Sequence, residues 1–414
     1  MTSVDAQTRE TPSVSERPPG ISSALALLLA IACGVSVANV YYAQPLLERV
    51  GGDLGIRPAE LGLVTTVTQA GYLLGLVLIV PLGDLVNRRG LIVVQSLVAG
   101  AGLLAVALAP DEAVFFVASA IVGLASVVVQ VIVAYAAVLS TPAQRGRVVG
   151  VVTSGVVIGI LLARTVSGLV ADALGWRAVF LVSAALMGAL AAALARLLPR
   201  DTSSRTRISY LRSIGSVVTL TIHEPVFRVR SLIALFVFGA FGAVWGSMAL
   251  PLGAAPWHLS EGQIGLFGVV GAAGALGAAR AGRLADRGLA QWVSGTALLL
   301  FVASWMLIAA TPWSLILLVI GVVVLDFAGQ ALHVTNQHLI VGIDPGASSR
   351  LMGGYMVYYS IGTGGGAIAA TALYAASGWG AVSGLGAGLS LCALFAWGVD
   401  RLTVRRRAAR LAGG

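Results

Sequence analysis

One carboxylate of this chain, Asp326, lies deep within an apolar segment, in the run ILLVIGVVVLDFAGQ at positions 316–330. The other sixteen acidic residues fall in tails, in loops or at the ends of apolar runs. An acid in a hydrocarbon environment costs several kcal/mol or is protonated, so such residues usually serve the movement of ions or substrates. Asp326 is therefore predicted to carry a proton. The alternative is a neutral, hydrogen-bonded Asp326 that only holds helices together.

Three more polar residues follow Asp326 at helical spacing: Gln330, His333 and Gln337 stand at i+4, i+7 and i+11. This spacing puts all four on one face of a helix, and a polar face in a membrane must contact protein or water. We predict Asp326 and His333 as proton-coupling residues and Gln330 as part of a substrate cavity. His333 fits a proton relay and an interfacial polar residue equally well.

Arg164 is the one arginine that the sequence places inside an apolar segment. Such an arginine needs a partner, offers a docking point for an anionic group of a substrate, or closes a gate. A purely structural role is the alternative. Counting about 1.5 Å per residue puts Asp326 about 10 Å deeper than Arg164, so a direct pair requires tilted helices.

Amide and phenol side chains recur in the other apolar segments, and such groups suit a cavity for amphipathic organic compounds. Tyr41, Tyr42 and Gln44 fit an interfacial aromatic belt as well. Trp245 either adds an aromatic wall or faces lipid. The predicted cavity residues besides Arg164 and Gln330 are Asn39, Tyr42, Gln44, Gln69, Tyr72, Gln130, Tyr135, Tyr355, Tyr358 and Tyr359.

The composition requires that these residues sit in a membrane. The chain has 414 residues, of which 58% are hydrophobic and 10% charged, with a mean hydropathy of +0.93. Soluble proteins carry about a quarter charged residues. Twelve apolar segments approach the length of about 20 residues that a helical crossing needs, which predicts an all-α membrane protein with twelve transmembrane helices. The segments are Ser23–Leu47, Glu60–Leu82, Leu91–Ala109, Ala113–Leu139, Val148–Val170, Ala178–Leu198, Leu232–Leu252, Gln263–Ala281, Trp292–Ala310, Trp313–Gln337, Leu351–Ala375 and Ala381–Val399.

The segments divide into two bundles of six around a polar linker. We predict a disordered tail at 1–22, bundles at 23–198 and 231–400, a linker with an amphipathic helix at 199–230, and a basic tail at 401–414. Twenty-two of the 26 arginines fall in the tails and in the loops on one side. The positive-inside rule then puts both termini in the cytoplasm. The basic charge thus reflects topology in the lipid bilayer, and no nucleic-acid partner is expected.

A loop motif repeats between the second and third segments of each half. Residues 83–90 read GDLVNRRG and residues 282–288 read GRLADRG. Matched loops of this kind indicate two homologous, pseudo-symmetric halves. The motif resembles the loop signature of the major facilitator superfamily, whose fold the resemblance implies over nearly the whole chain.

In that family the loop forms a conformational latch, which the resemblance assigns here to Gly83, Asn87, Arg88 and Gly90 and, in the second copy, to Gly282, Asp286 and Arg287. Asn87 stands where the family usually has Asp.

Three further runs are similar to a bacterial subgroup regarded as proton-coupled exporters: NVYYAQPLL at 39–47, TQAGYLLGLVLIVPLG at 68–83 and LDFAGQALHVTNQHL at 325–339. The resemblance implies a monomer in the bacterial inner membrane that exports a small organic compound by proton antiport. Import by proton symport and a transport-inactive sensor are the alternatives. The four His and two Cys form no ligand or nucleophile pattern, so no metal, no cofactor and no enzyme activity are expected.

The arginine distribution makes a first testable prediction. A fluorescent protein fused to the C-terminus should fluoresce in bacterial cells, whereas alkaline phosphatase fused at the same point should be inactive, because both stay in the cytoplasm. The control is the same pair of reporters fused after Arg57, on the opposite side of the membrane, where phosphatase should be active. Active phosphatase at the C-terminus would contradict the orientation.

Overall fold

The computed structural model describes residues 21–141, 144–199, 219–277, 284–343 and 348–412. Helices joined by short loops make up these ranges, and no strand occurs within them. The first half contains α1 (Ser23–Ala38), α2 (Leu47–Leu54), α3 (Gly62–Leu78), α4 (Arg88–Ala107), α5 (Glu112–Ser126), α6 (Val128–Leu139), α7 (Arg145–Leu174) and α8 (Trp176–Leu197). The second half contains α9 (Pro225–Ser247), α10 (Ala249–Gly253), α11 (Glu261–Gly265), α12 (Phe267–Gly277), α13 (Ala290–Ala309), α14 (Leu315–Val341) and α15 (Ser348–Ala412).

Within the described ranges, nine helices are long and apolar enough to cross a membrane. The predicted count of twelve stays a prediction, for three reasons. Helix α1 has 16 residues, and the described part of α12 ends at Gly277. Helix α15 has 65 residues but is interrupted at Gly378, whose φ is +74°.

Hydrogen bonds between helix ends define the two sides of the bundle. The Tyr135 hydroxyl donates to the carbonyl of Pro199 at 2.9 Å, at the side where the segment after α8 leaves; we call this the linker side. At the other end, the opposite side, the Trp176 indole donates to Asp53 at 2.7 Å. The linker side is the one that the arginine count predicts to be cytoplasmic.

The two arms of α15 run in opposite directions across the bundle. Before Gly378, the arm passes from Tyr358, which contacts Thr221 on the linker side, towards the opposite side. After Gly378, Trp379 donates to the carbonyl of Ile308 at the opposite-side end of α13. A straight helix of 65 residues would be about 98 Å long, roughly three times the hydrocarbon thickness, so the chain has to reverse.

Each half buries its own apolar core. In the first half, Phe115, Trp176 and Phe180 pack edge to face, with ring centroids 6.0 to 6.4 Å apart. In the second half, Phe301 and Trp305 are at most 1% exposed. Apart from Leu250 of the second half, which packs into the first core, the two cores lie in separate halves, so one half can move against the other with little unpacking.

Glycines set the helix spacing at matching places in the two halves. A Cβ added to Gly155 would lie 2.1 Å from the carbonyl oxygen of Ala30, so α1 and α7 touch through their backbones. Helices α9 and α15 touch likewise, since a Cβ on Gly366 would lie 1.9 Å from the carbonyl oxygen of Gly239. Small residues permit this approach where lipid supplies no hydrophobic driving force between helices.

Helix α9 begins earlier than the apolar segment predicts. The sequence put the linker's end at Arg230, whereas the helix starts at Pro225 and Arg230 is 2% exposed. Its guanidinium donates to Gln291 at 2.8 Å and to Ser294 at 3.0 Å. Arg230 thus ties α9 to α13 near the linker side. The predicted amphipathic helix of the linker lies outside the described residues.

Substituting Gly155 by Ala should destabilise the first half, because the new methyl group would collide with the Ala30 backbone. We expect a loss of about 1–3 kcal/mol, as for an overpacked core, and a lower melting temperature of the purified protein. Gly150→Ala on the same helix is the matched control, since a Cβ there meets nothing within 4 Å. Equal melting temperatures for the two variants would contradict this packing.

Candidate functional site

Arg164 lies in α7 and is 3% exposed. Its Nε donates to Oε1 of Gln44 at 2.6 Å, and its Nη1 reaches the carbonyl of Ile160 at 3.4 Å. The guanidinium carbon lies 3.8 Å from the ring centroid of Trp245 and 5.0 Å from that of Tyr41. Nη2 is buried and has no hydrogen-bond partner among the described residues. The cation is therefore stacked on aromatic rings but only partly hydrogen-bonded.

Asp326 lies in α14 and is 4% exposed. Its Oδ2 is buried and has no hydrogen bond of ordinary geometry within the described ranges, although the Trp245 indole lies close enough to interact with the carboxylate. A Cβ on Gly271 of α12 would lie 2.8 Å from this oxygen and 2.9 Å from Cζ2 of Trp245. Because Gly271 has no side chain, the carboxylate of Asp326 and the indole of Trp245 both fit against its backbone.

Trp245 brings the two charged groups together. Its ring stacks on Arg164 and lies beside Asp326, and its own indole N–H finds no acceptor in the described part of the chain. Asp326 and Arg164 interact electrostatically, although neither belongs to the ion pairs of the described residues. We call Arg164, Trp245 and Asp326 the charged centre. The depth count from the sequence predicted that Asp326 and Arg164 could pair directly only if their helices are tilted. In the structure each of them lies next to the indole of Trp245.

A pair of tyrosines links the two halves next to the charged centre. The hydroxyls of Tyr41 and Tyr359 are 3.0 Å apart, one from each half. The Tyr359 ring also lies 4.0 Å from Phe238 and 5.7 Å from His333, measured between centroids. Tyr359 was predicted to line the cavity, and it joins the first half to the aromatic residues of α9.

His333 is connected towards the linker side. Its Nδ1 lies 3.0 Å from the hydroxyl of Tyr355, and its Nε2 lies 2.9 Å from Nε2 of Gln337. About 10 Å of helix separates His333 from Asp326 at 1.5 Å per residue. Gln330, one turn from Asp326, is half-buried between them.

Three predicted cavity residues cluster on α3 and α6 near the interface of the halves. Nε2 of Gln130 donates to the hydroxyl of Tyr72 at 3.3 Å. The side chain of Gln69 packs against Gly364 of the other half, and its Nε2 has no partner among the described residues. These residues lie where a ligand between the halves could reach them.

Four other predicted residues point elsewhere. Oδ1 of Asn39 accepts a hydrogen bond from Ser183 of α8 at 2.7 Å, and Tyr42 contacts the same serine, so both face the inside of the first half. Tyr135 bonds Pro199, and Tyr358 bonds Thr221 at 2.9 Å, both on the linker side.

The loop motif is described only in its first copy. Oδ1 of Asn87 accepts the backbone N–H of Gly90 at 3.1 Å and caps α4, and Gly83 is buried. Gly282 and the side chain of Asp286 lie outside the described residues, and Arg287 is exposed. The latch assigned to the two loops stays a prediction.

Contacts on the opposite side join the halves beyond the charged centre. Oδ2 of Asp172, at the end of α7, accepts hydrogen bonds from Oγ of Ser260 at 2.6 Å and from the N–H of Gly262 at 2.9 Å. The carboxylate thereby caps the N-terminus of α11 in the other half. Closer to the centre, the Thr165 hydroxyl donates to the carbonyl of Gly265 at 2.8 Å.

An ion pair lies next to this cap. Nη1 of Arg49 is 3.1 Å from Oε2 of Glu261, again across the halves. Burial raises the pKa of the Glu261 carboxyl, and the hydrogen bond from Arg49 opposes that rise. The pair lines a cavity of about 450 Å³ together with Pro45, Glu48, Asp172, Ala249, Gly253, Leu259, Ser260 and Ile264. We call these contacts, with those of Asp172, the opposite-side seal.

Sequence reasoning missed two parts of this site. The seal residues Asp172 and Glu261 stand at helix ends, where acids are common, and only their spatial pairing distinguishes them. The sequence left open whether Trp245 faces lipid or the cavity, since a lone tryptophan in an apolar run does not indicate which way its side chain points. Its spacing to Phe238 and Phe241, at i−7 and i−4, could have indicated one aromatic helix face.

Comparison with known proteins decides the family. The sequence model of the Major Facilitator Superfamily matches residues 28–255. The chain belongs to the major facilitator superfamily. It is 43% identical over 377 residues to the uncharacterized transporter YgaY of Escherichia coli O157:H7, covering 91% of this chain and 95% of that protein. It is 33% identical over 340 residues to the probable transporter SCO4007 of Streptomyces coelicolor, covering 82% and 78%.

A solved structure shows the same fold. A bacterial homologue of the human lysosomal transporter Spinster, in an inward-facing and occupied conformation, superposes with a TM-score of 0.74 at 16% identity. The match covers 92% of this chain and 97% of that one. The family model and the relatives named as transporters make the protein a multi-pass membrane transporter of the major facilitator type, and not an enzyme.

The opposite-side seal can be tested by cross-linking. In a variant with Cys33→Ala and Cys392→Ala, the pair Asp172→Cys and Ser260→Cys should form a disulfide on mild oxidation, because Oδ2 and Oγ are 2.6 Å apart. A protease site inserted in the linker turns the disulfide into a gel assay, since cleaved halves stay joined until reduction. Asp111→Cys with Ser260→Cys is the control and should not cross-link. Equal cross-linking of both pairs would contradict the seal.

Proposed function

We propose that this transporter exports a small organic compound in exchange for protons, by alternating access, with Asp326 as the protonation site. The observation that carries the proposal is the charged centre: a buried acid and a buried arginine, both incompletely partnered, at the interface of two separately packed halves. We further propose that the protein works as a monomer in the bacterial inner membrane, with both termini in the cytoplasm.

Alternating access is supported by where the halves touch. The hydrogen bonds and the ion pair of the seal all lie between the charged centre and the opposite side. On the linker side of the centre, Gln130, Gln330, His333 and Tyr359 are half-buried and not fully enclosed. This arrangement fits a state that is closed on the opposite side. Rocking of one half against the other would open that side and close the linker side.

Proton coupling is supported by the surroundings of Asp326. An ionised carboxylate without an ion-pair partner is strongly disfavoured in a buried site, and Asp326 has only the neighbouring Trp245 indole and the attraction of Arg164, with which it forms no ion pair. A change in protonation therefore alters the attraction between α14 in one half and α7 in the other. That attraction acts across the interface that opens and closes. His333 is proposed as a relay towards the linker side, through Tyr355.

Export by antiport is the first candidate, because a compound that uses the carboxylate of Asp326 displaces its proton. Proton and substrate then bind alternately, as exchange requires. Import by symport is the second candidate, and the unpartnered Nη2 of Arg164 favours it. An anion bound there is best tolerated when Asp326 is protonated and neutral, so that proton and substrate bind together.

The test is substrate-triggered proton flux in proteoliposomes, recorded with an internal pH-sensitive dye against a panel of antibiotics, dyes, sugars and aromatic acids. Wild type should respond to at least one compound, and Asp326→Asn should reduce the proton response by at least tenfold while its compound binding persists. Glu112→Gln is the control, since Glu112 is exposed at the start of α5 and should leave the flux unchanged.

The sign of the response separates the two candidates. Protons and compound moving in opposite directions indicate antiport, and the same direction indicates symport. An equal response of wild type and Asp326→Asn to an active compound would show that Asp326 is structural and that proton coupling resides elsewhere.

A further inference from the structure

The charged centre presents two unpartnered atoms of complementary kind. Among the described residues, Nη2 of Arg164 is a buried donor without an acceptor, and Oδ2 of Asp326 is a buried acceptor whose one neighbouring donor, the Trp245 indole, does not reach hydrogen-bond geometry. Both side chains are more than nine-tenths buried. Buried polar groups are nearly always hydrogen-bonded, so two such open atoms next to the same indole are a marked exception. The pair has the pattern of a site that a ligand completes.

Aromatic rings lead from this pair towards the linker side. Phe238, Phe241 and Trp245 follow one face of α9, with successive centroids 5.9 and 6.2 Å apart. Tyr359 adds a fourth ring, 4.0 Å from Phe238. Phe241 and Tyr359 are half-buried, so this aromatic face is partly accessible. Flat apolar rings are the groups that such a face binds best.

We propose that the substrate is a planar aromatic compound whose polar group carries a hydrogen-bond acceptor and a donor side by side, as a carboxamide does. Its acceptor oxygen takes a hydrogen bond from Nη2 of Arg164, its N–H donates to Oδ2 of Asp326, and its ring lies along the aromatic face. This inference rests on the proposed function, because it assigns a chemical class to the compound moved by the same site.

The charges of the centre disfavour the two ionic alternatives. A carboxylate would bind Arg164 but meet the ionised Asp326, and an ammonium group would bind Asp326 but meet Arg164. A neutral group with both functions gives each partner a hydrogen bond and brings no like charge next to either. Its N–H donor and the nearby Arg164 both stabilise the ionised carboxylate, so binding lowers the proton affinity of Asp326 and favours release of the proton to water, as exchange requires.

Trp245 supplies the competing explanation. Its indole N–H has no hydrogen bond of ordinary geometry among the described residues but lies beside Asp326 and interacts with it, so a small shift would let it donate to Oδ2 without any ligand. In that case the carboxylate already has its donor, so a compound would gain nothing from its own N–H, and a carboxylate would bind at least as tightly as a carboxamide. Ligand selectivity therefore decides between the two.

The experiment compares four probes on the purified full-length wild type: naphthamide, naphthoate, naphthylmethylamine and the saturated decalin carboxamide. Isothermal titration calorimetry in two buffers of different ionisation enthalpy gives the affinity and the protons released. Naphthamide should bind at least tenfold tighter than the other three and should release protons. The naphthoate and the amine each lack one function, and the decalin amide lacks the ring.

Variants locate the two hydrogen bonds. Arg164→Lys, which keeps the positive charge but lacks the planar guanidinium with its several N–H donors, should weaken naphthamide binding at least tenfold. Asp326→Asn should retain binding through its amide oxygen and release no proton. Trp245→Phe should keep the order of the four probes, and Glu112→Gln should match wild type. Monodisperse elution of each variant shows that it is folded.

The inference is overturned if naphthoate or naphthylmethylamine binds as tightly as naphthamide, or if none of the four binds. Release of protons by one of the ionic probes would leave the proposed proton coupling intact and refute only the substrate class. Tight binding of naphthamide with equal proton release by wild type and Asp326→Asn would instead refute Asp326 as the protonation site and keep the class.

Discussion

The interior of this transporter holds two opposite charges that are close enough to attract and yet not joined. Arg164 and Asp326 are both buried, and the indole of Trp245 stands against each of them. Burying separate charges is costly, and a direct ion pair would be the simplest remedy. The described residues contain no such ion pair between them. Because Arg164 and Asp326 belong to different halves, any change in their attraction acts on the interface between the halves.

The packing of the helices makes such a change mechanically useful. Each half has its own core, and glycine contacts such as Gly155 on Ala30 and Gly366 on Gly239 fix the helices inside a half. Between the halves, the contacts near the opposite side combine polar ones, with Asp172 and Glu261 as acceptors, and close backbone approaches at Gly168 and Gly265. The polar contacts at a helix end break and re-form more readily than an interdigitated core, which favours opening of the interface.

Much of this organisation could be predicted from residue order. The spacing of Asp326, Gln330, His333 and Gln337 predicts one polar helix face, and α14 carries all four over Leu315–Val341. The apolar segments predict most helices, although the single break of α15 at Gly378 and the 16 residues of α1 left the count of twelve open. Residues at the ends of apolar segments were harder to assign. The sequence places Arg230 in the linker, whereas the structure buries it in α9.

The sequence by itself determined the membrane class, because composition is a property of residue order. From repeats and helical period it also predicted two repeated halves and Asp326 as the proton-carrying acid. Only the tertiary structure decided that Arg164 reaches the same indole as Asp326, and that Asn39 and Tyr42 turn away into the first half. Which side chains meet across helices depends on tilt and on backbone approach at glycines such as Gly271, and neither is encoded in the spacing along one helix.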